Sequence, residues 1–101
     1  DKVKAACIEA VKLVNALRKI TGRALGTGIV VDTAYLACQM IESGFTNNVK
    51  EAVERAAIHI VLPQLELVGE HVDRIVNELE RSYGYTILAE AVRSLGAREM
   101  L

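Results

Sequence analysis

Nearly every stretch of this chain longer than ten residues sets its apolar side chains three and four positions apart. Val3, Cys7, Ala10, Val14 and Leu17 begin the pattern, and that spacing gathers residues on one face of a helix. The β-branched run Ile29–Val31 is too short and isolated to found a sheet. The pattern predicts an all-α fold, a single compact bundle of about five helices. Aromatic residues make up 4% of the chain and Trp is absent, so the core has to be built from Ala, Val, Leu and Ile.

The first helix is predicted from about Lys2 to Ile20, with Val11, Leu13 and Ile20 widening its apolar stripe enough to pack on more than one neighbour. Residues 21–28, TGRALGTG, hold three glycines and read as a loop. A second helix follows over about Val30 to Ser43, stopped by Gly44. Asn48 with Glu51 three residues on resembles a capping box for the third helix, which Pro63 ends or kinks. A fourth helix is expected over about Gln64 to Tyr83, and a short fifth over Thr86 to Leu95 with Gly96 as its stop. Val14, Leu17, Ala37, Ile41, Val53, Ile60, Val72 and Ile75 are the expected core. The 101 residues suit one domain, and an opening Asp1 reads as a fragment of a larger protein or a trimmed chain.

Charge is uneven along the chain. Residues 1–23 carry six basic side chains against two acidic, and the remainder six against eleven. This is the balance of solvated helix faces, with the alternative that two faces meet different partners. Cys7 and Cys38 lie in apolar surroundings and read as buried small hydrophobes, with pairing between them left open. No run of 18 apolar residues is present to span a membrane, and the expected location is the cytoplasm.

No catalytic set and no metal site is expected. A phosphate loop needs GxxxxGK[ST], and no lysine follows Gly28. His59, within AAIHIVL, reads as a core or interface histidine, and His71 as a surface one. Glu70 is expected to pair with Arg74 at i,i+4. Arg18, Lys19 and Arg23 cluster where the first helix gives way to the glycine-bearing loop. They suit the helix dipole, and positive charge beside such a loop can also meet phosphate.

The segments KLVNALRKI, VVDTAYLACQMIESG and VKEAVERAAIHIVLPQLE resemble the C-terminal helical lid of AAA+ ATPases, nearest the MoxR-type and methylcytosine-restriction-type group. The resemblance covers about residues 13–67. It implies a lid that relays nucleotide state and supports subunit contacts, with the ATPase core of the parent chain and neighbouring subunits as partners. ATP and Mg would be cofactors of the parent, and nucleic acid would be met only through it. Family lids often place a sensing arginine at the start of the second helix. Here Gly26–Val31 holds none, which leaves Arg23, and behind it Arg18, as candidate nucleotide-contacting residues in a parent ATPase. The other reading is a stand-alone helical interaction or oligomerisation module, with a nucleic-acid process as one setting for it.

Overall fold

The computed structural model describes residues 1–65, 67 and 69–99. Among them are five α-helices, α1 (Lys2–Thr21), α2 (Thr27–Glu42), α3 (Val49–Ile60), α4 (Gly69–Arg81) and α5 (Thr86–Glu99), with a 3₁₀ turn at Leu62–Gln64 and no strand. Asp1 caps α1 by accepting from the N–H of Lys4. Gly22, at φ +71°, ends it in the left-handed conformation and donates its N–H to the Arg18 carbonyl. The predicted box at α3 is half formed. Asn48 accepts from the Glu51 N–H, but the Glu51 carboxylate turns to Thr46 and Arg55 instead. Those two partners, Arg55 first, hold it below the usual carboxylate range.

Three boundaries differ from the sequence expectation. α2 begins at Thr27, so Gly28 is helical and the true loop spans only 22–26. Pro63 sits in the first turn of the 3₁₀ segment, after which Leu65 is extended, so α4 starts at Gly69 rather than Gln64. α5 runs through Gly96 to Glu99. That glycine is no stop: a Cβ there would lie 2.6 Å from a methyl of Val72, so its role is to let α5 approach α4.

α2 packs on α1 and α3, α4 pairs with α5, and α3 links the two groups through α5. One apolar cluster runs through all five helices. Alanine is its commonest residue, and Ala52, Ala56 and Ala57 line the inner side of α3 at zero exposure. Val14, Leu17, Ala37, Val53, Val72 and Ile75 are buried as expected, whereas Ile41 and Ile60 are only half-buried. His59 is exposed and is not a core histidine. The helix turns its inward positions to Ala56, Ala57 and Val61, and His59 faces out between them. His71 is exposed as expected. The Glu70 side chain lies outside the described residues, and Arg74 pairs with Glu78 at 3.6 Å.

Nothing in the sequence pattern singles out Glu54. This carboxylate is buried on α3 and accepts the N–H of Leu88 at 3.1 Å. It thereby satisfies an orphan donor in the first turn of α5, where the helix dipole also favours negative charge. Lys50, one turn earlier, donates to the Gly84 carbonyl and lies over the Tyr85 ring at 5.3 Å. Burial raises the Tyr85 hydroxyl well above its ordinary pKa, with Glu9 adding to it. Burial likewise pushes Glu54 above the ordinary 4.5, against the opposing pull of the Leu88 N–H and Lys50.

Two predictions follow from these contacts. Because the folded-state pKa of Glu54 is raised, its protonated form favours the fold. That contribution is full below the unfolded value of 4.5 and is lost as pH rises through the folded one. Glu54→Gln keeps an acceptor for Leu88, so urea unfolding should show a weaker pH dependence just above 4.5, whereas Glu54→Ala should cost about 1–3 kcal/mol. Gly96→Ala should destabilise by about 1–3 kcal/mol through overpacking, despite alanine's better helix propensity. Adding Val72→Ala should recover part of that loss in a double-mutant cycle.

Candidate functional site

Helices joined by a loop as short as 22–26 lie side by side and antiparallel. Buried Ala6 and Ala10 on α1, and Ala34 and Ala37 on α2, keep the cores of these two helices small. Larger apolar side chains then stand along the outer edge of the contact. Val3, Cys7 and Val11 from α1 face Val30, Val31, Tyr35 and Cys38 from α2 across an open groove of about 520 Å³, with Gln39 and Glu42 also lining it. Val3 is 53% exposed, Val31 59% and Tyr35 65%. Ile8 is exposed as well. This apolar concentration at the surface of so small a domain is the kind that marks a contact site.

Both cysteines are displaced from the buried positions expected of them. Cys7 is exposed and Cys38 half-buried, and both thiols are free. The reason lies in the width of the α1 stripe. Ala6, Ala10, Leu13, Val14 and Leu17 fill the inward sector, leaving Val3, Cys7 and Val11 on its margin. Burial pushes the Cys38 thiol above its ordinary pKa, and the neighbouring Cys7 and Glu42 push it the same way.

The tip of the α1–α2 hairpin carries the two arginines singled out from the sequence, in different roles. Arg18 faces the loop. Its Nε and Nη2 donate to the Leu25 carbonyl at 2.8 and 2.5 Å, and its Nη1 donates to the Asn15 side chain at 2.6 Å. The guanidinium therefore clamps the loop shut, with Leu25 turned into the core. Arg23 lines a small recess with Thr21, Leu65, His71, Arg74 and Ile75. The loop thus lies against the start of α4, and Arg23 shares one recess with His71 and Arg74 of that helix. Among the described residues no three His, Cys, Asp or Glu side chains are grouped to hold a metal ion, and no helix is long and apolar enough to cross a membrane.

Set against known proteins, the chain matches no family model, no curated protein and no solved structure. The groove was missed in the sequence because helical spacing groups Val3, Cys7 and Val11 with the core. The available signal was the breadth of the stripe, which exceeds what one neighbouring helix can cover. Tyr35 and Val31 are not among the core residues expected of α2, Ala37 and Ile41, and their joint exposure beside α1 emerges only once the two helices are placed together.

The clamp gives a direct prediction. Arg18→Ala removes charge-assisted hydrogen bonds to a part-buried carbonyl and should cost about 1–3 kcal/mol in urea unfolding. Lys19→Ala, one residue on and exposed, should stay within about 0.5 kcal/mol of the parent chain.

Proposed function

We propose that this domain is an accessory, non-catalytic helical module of a larger ATPase, seated against its parent through the α1–α2 hairpin. The observation that carries the reading is the joint exposure of Val3, Val11, Val31 and Tyr35 along one groove. Apolar area of this kind is normally covered by a partner. The likeness of residues 13–67 to AAA+ lids supplies the kind of parent: a nucleotide-binding core that moves against its lid as ATP is bound and hydrolysed. On this reading the flank of the hairpin is the seat, and its tip, with Arg23, is the part nearest the nucleotide. An arginine there would offer paired N–H donors to phosphate. Arg18 would act indirectly, by holding the loop that presents Arg23. ATP and Mg would belong to the core, and contacts with neighbouring subunits would follow from the ring assembly of such machines.

A second reading, self-association through the same groove, is favoured by charge. α1 carries Lys2, Lys4, Lys12, Arg18 and Lys19 against Glu9, whereas α2 carries Asp32 and Glu42 and no basic residue. A two-fold pairing that laid α1 of one copy on α2 of another would set opposite charges together.

Steady-state kinetics on the full ATPase separates these readings. Val31→Asp and Tyr35→Asp should each lower ATP turnover about tenfold, the effect of losing a central apolar anchor. Arg23→Ala should weaken nucleotide affinity, while Arg93→Ala, which loses only exposed pairs with Glu80 and Glu90, should leave it unchanged. Normal kinetics in the Val31, Tyr35 and Arg23 variants would overturn the lid reading. Concentration-dependent dimers of the 101-residue chain, abolished by Tyr35→Asp, would favour self-association.

A further inference from the structure

Cys7 and Cys38 stand on opposite walls of the same groove. The antiparallel hairpin brings the first part of α1 beside the last part of α2, so residue 7 and residue 38 fall at the same level of the bundle. A disulfide requires Cβ atoms about 3.5–4.5 Å apart, which two helices reach only where the side chains between them are small. α1 and α2 pack directly on each other, their buried residues include the small Ala6, Ala10, Ala34 and Ala37, and Ala34 lies in the groove with both cysteines. The thiols also feel each other: Cys7 contributes to the raised pKa of Cys38. Neither sulfur is shut in the core, so a small reagent can enter the groove from solvent.

We propose that Cys7 and Cys38 form a reversible dithiol site that a small-molecule disulfide converts into an α1–α2 crosslink. Cys7, the more exposed, reacts first. Its sulfur gives up a proton and attacks one sulfur of the reagent. The reagent's S–S bond breaks, and one half leaves as a thiol carrying a proton. The Cys38 sulfur then attacks the Cys7 sulfur of this mixed disulfide, the bond to the second half breaks, and that half also leaves as a thiol. The chain loses two protons and two electrons, and one disulfide reagent is reduced to two thiols. The crosslink bridges the groove between Val3 and Val11 and fixes its two walls together. This chemistry goes beyond the docking proposal and stands or falls separately from it.

The test is incubation of the folded 101-residue chain with oxidised glutathione, followed by alkylation, mass spectrometry and peptide mapping without reductant. The expected result is a monomer with no alkylatable thiol, a Cys7–Cys38 crosslinked peptide and an unchanged far-ultraviolet circular dichroism spectrum. Its thermal midpoint should rise on the order of 10 °C, because the crosslink closes a loop of about 30 residues. Cys38→Ser should stop at a stable glutathione adduct on Cys7, and dithiothreitol should reverse every product. Glutathione adducts persisting on both thiols of the unsubstituted chain would overturn the proposal. So would crosslinks found only between molecules, or a crosslink formed only with loss of helical signal.

Discussion

Close helix contact through alanine is the constraint on which the rest of this structure depends. With no Trp and few aromatic rings, volume cannot be filled by a few large side chains. The helices instead move together, and α3 is the helix they close upon. Its inward positions Ala52, Ala56 and Ala57 are fully buried, and it packs on α1, α2, α5 and the 3₁₀ turn. Packing density must be kept near that of an organic crystal, so replacing any of these methyl groups with a larger side chain forces a neighbour outward. The same closeness lets Glu54, on the same helix, reach the first turn of α5. A buried carboxylate is costly unless it is bonded. Here it satisfies backbone donors that would otherwise be left open, joining the two helical groups by a polar contact as well as an apolar one.

The same economy explains the groove. Where alanines occupy the contact between α1 and α2, the larger apolar side chains beside them have no room inside and stand on its edge. Nothing in the fold of the described residues covers them. Apolar groups left in water forfeit about 25 cal/mol for each Å² that could be buried, so a face of this kind is an available source of binding energy. The loop at the end of the same hairpin is held by Arg18 through the Leu25 carbonyl. Flank and tip are therefore parts of one stiff element, and a partner seated on the flank would fix the position of Arg23 at the tip.

Much of the architecture was legible in the sequence. The helical period placed all five helices, and Gly22, Gly44 and Gly84 fall at φ values of +71°, +81° and +71°, where helices or turns end. What the period does not report is how many neighbours a helix has. The stripe of α1 has the breadth for more than one neighbour, but the spacing does not say which part stays uncovered, and Cys7 and Val11 are that margin. His59 lies outside the core for a related reason: apolar residues before and after it in sequence say little about its direction, since a helix turns by about 100° at each step. Gly96 looked like a helix stop because its partner, Val72, is distant in sequence. Glu54 was illegible for the same reason, its bond to Leu88 spanning 34 positions. Of the candidate site residues, Arg18 and Arg23 were visible as charge beside a loop. Their division into a clamp and a recess-lining residue required the structure.

The central claim is that the apolar wall of the groove is surplus to folding and belongs to an interaction. Equilibrium urea unfolding of the 101-residue chain carrying Val11→Thr, Val31→Thr and Tyr35→Ser, singly and together, tests it most directly. Surface positions with no role in the core change stability by about 0.5 kcal/mol or less each. Single effects within that range, a near-additive triple variant and an unchanged m-value are expected. A loss of several kcal/mol in the triple variant, approaching the cost of emptying a buried site, would show that these side chains hold the fold together and would contradict the account.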